Sequence, residues 1–382
     1  MTALAMNKRI ARDKPVWWHH IDYGLVALVV GISGFGTLLV YSATRGPATA
    51  EQPANLAFLS RQGTFIVLGL FVMGAVAAID YRKLRALVPI GYFGLIALLV
   101  GVLVTGRVVN GARSWFQFGS FQVQPSEYGK VVLIVAMASF LASRQESVTF
   151  RDIGLATLLA GIPMGLIFLQ PDLGTILVYL AILAGMVLVA GIKPRQVAVV
   201  LIVVAFLGGA AISSGQLKQY QIDRFTSLFD EDGESVAAQT TRFNVDQAQI
   251  AIGNGGLWGQ GLFEGTQTRS NLVPEQQTDF IFTVAGEELG FAGSATLLVL
   301  FVALVFRIWR IASLTHDLGG TMICVGVLAM ILFQVFQSVG MNLGIMPVTG
   351  IPLPFVSYGG SSVITSFASI GLVLSVHLHR FS

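Results

Sequence analysis

Long apolar segments alternate with short polar ones along most of this chain of 382 residues. Each apolar segment approaches the length, about 20 residues, that a helix needs to cross a bilayer. Lipid offers no partner for free backbone N–H and C=O groups, so we expect these segments to be helices. The pattern predicts about ten spans, at 21–42, 61–79, 86–104, 127–142, 153–170, 174–191, 195–213, 280–306, 319–340 and 360–378.

The composition agrees with a membrane protein. Hydrophobic residues make up 54% and charged residues 11% of the chain, whereas soluble domains carry about 25% charged residues. The sequence therefore predicts an all-α polytopic membrane protein, with a cytoplasmic N-terminal segment at 1–20 and a single membrane domain at 21–379. The net charge of +3 is small and gives no reason to expect nucleic-acid binding. Cys324 is the only cysteine, which excludes an internal disulfide.

The lysines and arginines predict the orientation. With the N-terminus inside, 14 of the 23 basic residues fall on the inner side, as expected because cytoplasmic loops are rich in Lys and Arg. We therefore expect both termini to be cytoplasmic and three segments to face outward: 105–126, 341–359 and the long loop 214–279 between the seventh and eighth spans. That loop is too long for a simple connection.

Asp279 stands where the long loop meets an apolar segment beginning with Phe280 and Ile281. Apolar neighbours reduce the hydration of a carboxylate and raise its pKa, which makes it a better base. The same position is equally compatible with a helix start, in which Thr278 is the N-cap and Asp279 interacts with the helix dipole. Glu287 and Glu288 follow within the span, and we expect a buried ion pair with cations to satisfy them.

Two further segments complete the candidate site. In NGARSWFQFGSFQVQPSEYGK, at 110–130, Glu127 and Lys130 are three residues apart and share one face of a helix that begins near Pro125. Either this is only a structural pair, or Arg113 and Gln124 join it in binding an anionic headgroup. The Pro- and Gly-rich segment 342–362 has no acid or base and is expected to shape the site. The glycines of GNGGLWGQG, at 253–261, are expected to let a loop lie close to a surface.

Together these motifs resemble the SEDS family (shape, elongation, division and sporulation), and its RodA branch more than its FtsW branch. The resemblance covers almost the whole chain: NGA-x-x-W and QPSE-x-x-K at 110–130, QPDLGT at 170–175, QIAIGNGGLWGQGLFEGTQT at 249–268, PEQQTDFIFTVAGEELG at 274–290, and PLPFVSYGGSS at 352–362. It implies a peptidoglycan glycosyltransferase that polymerises lipid II at the outer face of the bacterial cytoplasmic membrane.

The resemblance also implies roles for individual residues. Asp279 matches the family's essential aspartate and would be the general base of an inverting reaction. Lys130 and Arg113 would lie near the leaving pyrophosphate, with Glu127 orienting Lys130. Gln124, Ser126, Glu275 and Thr278 are further substrate-binding candidates. One departure weakens the assignment of Arg113, because the family's arginine directly precedes the tryptophan, and Ser114 occupies that place here.

The resemblance further implies a partner, a class B penicillin-binding protein with transpeptidase activity. The sequence contains no cofactor motif, and a divalent cation bridging pyrophosphate and carboxylates is left open. Two other functions are also open: a lipid II flippase, and a non-enzymatic scaffold of a wall-synthesis complex. A flippase needs polar groups along its whole crossing, whereas the motifs here cluster at the outer end.

Overall fold

The computed structural model describes residues 21–46, 55–109, 112–119, 121–144, 148–193, 195–196, 236–270 and 272–380. The described part is mostly helical. The helices are α1 Tyr23–Thr44, α2 Ala57–Ala78, α3 Tyr81–Thr105, α4 Pro125–Ala142, α5 Phe150–Leu169, α6 Leu173–Val189, α7 Val236–Gly255, α8 Thr266–Arg269, α9 Ile281–Leu314, α10 Leu318–Asn342 and α11 Gly360–His379. The strands are β1 Arg107–Val109, β2 Ala112–Phe118 and β3 Phe121–Val123.

Eight of the described helices are long and apolar enough to cross a membrane: α1 to α5 and α9 to α11. Helix α6 is also apolar but has 17 residues. These nine helices correspond to nine of the predicted spans. The remaining one, 195–213, lies outside the described residues except for positions 195 and 196.

Two polar segments contain structure that the sequence pattern did not predict. Strands β1, β2 and β3 form a small antiparallel sheet in the order β1-β2-β3, which is added to a fold that is otherwise helical, as predicted. The alternation of side chains in β2, ARSWFQF, suits a strand that has one covered and one open face. The second addition is α7, which lies within the predicted loop 214–279 and packs against α9.

Ion pairs join the helix ends on the side that was predicted to be cytoplasmic. Arg85 lies 2.9 Å from Asp317, and Arg307 lies 3.1 Å from Asp22. Both aspartates also cap helices, because Asp22 accepts from the Leu25 amide and Asp317 accepts from the Gly320 amide. The side chains of Arg85 and Arg307, which belong to α3 and α9, are thus held at this end of the bundle.

Helix α9 is broken at Gly290, where φ is 65° and ψ is −162°, a conformation that essentially only glycine adopts. Residues 256–261, here named the break loop, lie against the opening. The amides of Gln260 and Gly261 donate to the carbonyls of Glu287 and Glu288. In return the amides of Phe291 and Ala292 donate to the carbonyls of Gly256 and Leu257. The backbone groups freed by the break are therefore paired with those of the break loop.

Glycine makes this close approach possible. A Cβ on Gly259 would stand 2.1 Å from the Glu288 carbonyl oxygen, and one on Gly255 would stand 1.9 Å from that of Gly286. Both separations are far below contact distance. The prediction that the glycines of 253–261 let a loop lie close to a surface is confirmed.

Candidate active site

A cavity of about 580 Å³ opens at the end of the bundle opposite to the ion pairs. Its wall comes from the starts of α2, α4, α6 and α11, from the residues before α9, from the sheet and from the Pro- and Gly-rich segment. The charged residues of the wall are Arg61, Glu127, Lys130, Asp172, Glu275 and Asp279. Segments far apart in the sequence thus contribute to one polar site.

Five helices have their N-terminal ends at or next to this cavity: α2, α4, α6, α9 and α11. The N-terminus of a helix carries unpaired amides and a partial positive charge, and so favours anions. Of these five, α2, α4, α9 and α11 have no side-chain cap. In a wall that also carries four carboxylates, these helix starts add partial positive charge to that of Arg61 and Lys130 and could accept a phosphate group.

Lys130 and Glu127 form the predicted pair on the first turns of α4. The Lys130 Nζ lies 2.7 Å from Glu127 Oε1, and both residues are buried in the protein while lining the cavity. Pro125 at the first turn starts the helix and places both side chains on one face. Glu127 thereby fixes the direction of the ammonium, as expected.

Gln124 lines the cavity, but Ser126 does not. The Gln124 side-chain amide donates to Asp172 at 2.9 Å. Asp172 is the N-cap of α6 and also accepts from Thr175. Ser126 points away from the cavity into the protein, where its side chain is fully buried. Asp172 was not predicted as a site residue, although its position before an apolar segment is typical of a helix cap.

The arginine that lines the cavity is Arg61, and not the predicted Arg113. Arg113 is exposed, lies outside the cavity wall, and donates to the Leu103 carbonyl at 3.3 Å. Neighbours in a strand point to opposite faces, and it is Ala112 and Ser114 that face the cavity. Arg61, in the second turn of α2, lines the cavity instead. The sequence pattern gave no reason to select it, because no motif surrounds it.

Asp279 is half-buried and lines the cavity together with Thr278 and Glu275. The three belong to a turn in which the amides of Thr278, Asp279 and Phe280 all approach the Glu275 carbonyl. Helix α9 begins only at Ile281, and Phe280 is its N-cap, without a side-chain hydrogen bond. The interpretation of Thr278 as N-cap is therefore wrong, since its hydroxyl donates backward to the Glu275 carbonyl.

The segment between α10 and α11 holds this turn in place, as predicted for its shaping role. Ser357 donates to the Thr278 carbonyl at 2.6 Å, and the Tyr358 amide donates to the Gln277 carbonyl at 2.9 Å. The Asn342 side chain donates to the Asp279 carbonyl at 3.0 Å. Gly350 lies so close that a Cβ there would stand 3.3 Å from Asp279 Oδ2. The backbone of the turn is thus fixed, and its carboxylate faces the cavity.

Among the described residues no Lys or Arg pairs with Glu287 or Glu288, which differs from the expectation that cations satisfy them. Glu287 is fully buried and accepts from the amides of Gln267 and Thr268 and from the hydroxyls of Thr266 and Thr268. Glu288 accepts from the Ser42 hydroxyl at 2.5 Å. Neutral amides and hydroxyls therefore stabilise these carboxylates in place of the expected Lys or Arg side chains. Several hydrogen bonds from neutral donors can stabilise the charged form of a carboxylate.

Among the described residues, no three His, Cys, Asp or Glu side chains are grouped as a metal site. Glu127, Asp172, Glu275 and Asp279 all line the cavity. These are the carboxylates that would face a cation carried into the cavity by a phosphate group.

Comparisons with known proteins agree with this arrangement. The model of the FtsW/RodA/SpoVE family of cell cycle proteins matches residues 23–381. The peptidoglycan glycosyltransferase MrdB of Escherichia coli K12 is 33% identical over 373 residues, which cover 96% of this chain and 97% of that protein. Among solved structures, a chain from a peptidoglycan synthase complex, described by its coordination of polymerization and crosslinking, matches with a TM-score of 0.78 and 34% identity, covering 95% and 99% of the two chains.

The rod shape determining protein RodA of Thermus thermophilus matches with a TM-score of 0.70 and 33% identity, covering 95% of this chain and 98% of that one. Both the sequence matches and the structural matches extend over nearly the full chain, including the helices and the connecting segments that form the cavity. The chain is therefore an integral membrane protein of the FtsW/RodA/SpoVE family, the SEDS family that its motifs resemble.

Proposed function

We propose that this chain is a peptidoglycan glycosyltransferase that polymerises lipid II into β-1,4-linked glycan strands during cell elongation. One observation carries the proposal: the Asp279 carboxylate and the Lys130 ammonium line one cavity, at which five helices have their N-termini. A base for the acceptor hydroxyl and a cationic group for the leaving anion are two requirements of the reaction. Relatives bearing this activity in their names match over nearly the whole chain.

Asp279 is the proposed general base. It takes the proton of the acceptor GlcNAc 4-hydroxyl, whose oxygen attacks C1 of the donor MurNAc. The bond from C1 to the pyrophosphate oxygen breaks, and the α linkage becomes β in a single inversion. A positioned base accelerates such a step by about 10² to 10⁴.

The leaving group is undecaprenyl pyrophosphate, which departs with the bonding electron pair. Lys130 and Arg61 are the basic side chains of the described cavity wall, and they would stabilise the added negative charge. The uncapped starts of α4, α9 and α11 add backbone dipoles of the same sign. Gln124, Glu275 and Thr278 remain candidates for contacts to the sugars, and Glu127 positions Lys130.

The proposed orientation places this cavity on the outer face of the bacterial cytoplasmic membrane, with both termini inside. The distribution of basic residues supports it, because Arg85, Arg144 and Arg307 lie at the opposite end of the bundle in ion pairs with helix-capping or first-turn aspartates. Lipid II reaches the outer leaflet with its disaccharide in water, so a site at the outer boundary suits it.

The location of the cavity supports a polymerase over a flippase. All charged side chains of its described wall lie at one end of the bundle. A flippase would need such groups along the whole crossing to carry a polar headgroup.

The proposed partner is a class B penicillin-binding protein, which would crosslink the emerging strand. The similar chain from the peptidoglycan synthase complex supports that pairing.

The decisive experiment is polymerisation by the purified protein with its transpeptidase partner. Wild type and Asp279→Ala are incubated with lipid II, and glycan strands are separated on gels. We expect long strands from wild type and a loss of at least about 100-fold in the variant. Normal strands from a folded Asp279→Ala protein would contradict the assignment of the base. Translocation of lipid II in vesicles without polymerisation would favour the flippase.

A parallel series with a chelator and with added Mg²⁺ determines whether a divalent cation enters with the pyrophosphate. Glu264→Gln, an exposed carboxylate outside the cavity wall, is the matched control for loss of a negative charge. It should polymerise like wild type under every condition.

A further inference from the structure

The carboxylate of Glu287 lies outside the cavity wall, yet it accepts four hydrogen bonds. It is fully buried, and four donors from residues 266–268 surround its two oxygens at 2.6 to 3.2 Å. Carboxylates in such surroundings are strong anchors, because each bond to a charged acceptor is stronger than one between neutral groups. This anchor therefore joins α9 tightly to the loop before the catalytic turn.

Glu287 lies in the short first part of α9, which the break at Gly290 separates from the rest of the helix. That part, residues 281–289, is about two and a half turns long, too short to be stable without tertiary contacts. Only Phe280 lies between it and Asp279. Eight residues separate Asp279 from Glu287, a rise of about 12 Å along a helix. Glu287 is thus too distant to act on the substrate, but it belongs to the same rigid piece.

A second connection leads from the same loop back to the turn that carries Asp279. The Thr268 carbonyl accepts from the Gln276 side chain at 3.1 Å, and that side chain also donates to the Ala43 carbonyl on α1 at 3.2 Å. Gln276 is buried and stands three residues before Asp279. Residues 266–268 therefore hold both sides of Asp279: the turn through Gln276 and the short helix through Glu287.

We propose that Glu287 is a positioning residue for Asp279: by binding residues 266–268, it fixes the short helix 281–289 and thereby the place of the Asp279 carboxylate in the cavity. The inference rests on the proposed function, since it concerns the base of that reaction. Misplacement of a reacting group by about 1 Å is enough to lower a rate about 100-fold.

Glu287→Gln tests the proposal with little change in shape. An amide has one acceptor oxygen, so its NH₂ would face amide and hydroxyl donors that now lack a partner. The matched control is Glu288→Gln, because Glu288 is the adjacent carboxylate and is equally buried, but its described partners, the Ser42 hydroxyl and the amides of Phe263 and Gly265, lie outside residues 266–268. Both variants are made in the full chain and assayed with the transpeptidase partner and lipid II.

We expect kcat of Glu287→Gln to fall about 10- to 100-fold, with KM for lipid II changed less than about threefold because the pyrophosphate contacts stay in place. The pH at which kcat rises should also move, since a displaced base has different hydration. Glu288→Gln should keep both constants and the pH profile. A wild-type kcat and pH profile in Glu287→Gln would overturn the proposal.

A labelling measurement tests the positioning role of Glu287 independently of enzymatic activity. In Asp279→Cys, the new thiol reports the accessibility of that position to a small anionic methanethiosulfonate, and the native Cys324 is buried and should react little. Adding Glu287→Gln should change the labelling rate at least about fivefold, whereas adding Glu288→Gln should not.

Equal labelling rates in the three proteins would overturn the positioning role even if Asp279 proved to be the base. Conversely, if wild type failed to polymerise lipid II, the proposed function would fail, while a changed labelling rate would still establish that Glu287 positions residue 279. Monodisperse elution of each variant in detergent shows that the protein compared is folded.

Discussion

The Lys130 ammonium lies 2.7 Å from the Glu127 carboxylate in the wall of the cavity, and both side chains are almost fully covered by protein. A buried charge is costly unless it is paired. The pair therefore keeps Lys130 charged where an anionic leaving group would depart. Within the described residues, Glu127 is its partner for one of three ammonium protons, which leaves further protons for a substrate phosphate.

Lys130→Met should abolish polymerisation and also reduce stability. The substitution leaves Glu127 charged and buried without its partner, which costs on the order of 3 kcal/mol. We expect a lower thermal unfolding midpoint in detergent and no glycan strands from lipid II.

The double variant Glu127→Gln/Lys130→Met separates the two effects. Replacing both partners removes the uncompensated charge, so the unfolding midpoint should recover much of its loss. Polymerisation should not recover, because the cation is still missing. Recovery of both stability and activity in the double variant would mean that the pair is only structural.

Arg61 and Arg113 should respond in opposite ways to replacement. Arg61 lines the cavity, so Arg61→Ala should raise KM for lipid II about tenfold or more, since a hydrogen bond to a charged group contributes about 1.5 to 3 kcal/mol. Arg113 is exposed and bonds to a backbone carbonyl, so Arg113→Ala should change KM less than about twofold. Steady-state polymerisation kinetics compare the two, and a larger effect at Arg113 would contradict this description of the cavity.

Gly290→Ala should disrupt the break in α9. The alanine would have to adopt φ of 65°, and its Cβ would stand 2.3 Å from the Gly259 amide nitrogen. Such a backbone conformation costs on the order of 3 kcal/mol for a residue with a side chain. We expect a lower thermal midpoint and weaker polymerisation.

Gly253→Ala is the matched control, because Gly253 lies in α7, is exposed, and has no atom within 4 Å of an added Cβ. It should be neutral or slightly stabilising, as alanine favours helix. A similar loss of stability and polymerisation in both variants would show that the close approach of the break loop to α9 does not cause the effect of Gly290→Ala.

Stability at acid pH should depend on Asp317. Burial alone would raise the pKa of its carboxyl, but the Gly320 amide, the Arg85 guanidinium and the Tyr81 hydroxyl outweigh burial, so the pKa lies below the usual aspartate value. Its contribution is complete above the pKa of the unfolded chain and disappears as pH falls through the lower, folded pKa.

Asp317→Asn keeps a capping side chain but loses the charge. The variant should therefore have a lower unfolding midpoint than wild type at pH 7, and the difference should shrink as the pH is lowered below the usual aspartate range. Thermal unfolding in detergent across that range measures it. A difference that is constant with pH would contradict the assigned role of the charge.

The sequence located the parts of the site that depend on local spacing. The Lys130 and Glu127 pair follows from an interval of three residues on a helix, and Asp279 follows from a polar loop that meets an apolar segment. The lengths of the apolar segments likewise predicted nine of the helices to within a few residues at most ends. Such features need no information about distant segments.

Other residues were misassigned because their roles depend on distant contacts. Arg113 lies on the open face of β2, and no local pattern tells which face of a short strand meets a cavity. Arg61 enters the site because the start of α2 lies beside α11, 300 residues later. Glu287 was expected to need cations, but the residues 266–268 of α8 supply neutral amide and hydroxyl donors.

By itself, then, the sequence determined the membrane-spanning segments, the end of the bundle where polar chemistry collects, and the identity of the candidate base. The first two follow from the hydrophobic effect and from helical periodicity, which act over a few neighbouring residues, and the third follows from the resemblance of the motif around Asp279 to that of the family. Only the tertiary structure decided which side chains share the cavity, how Glu287 is satisfied, and what holds Asp279. Those outcomes arise from contacts between segments far apart in the chain, which no local pattern specifies, and at the break in α9 the separations are ones that glycine permits.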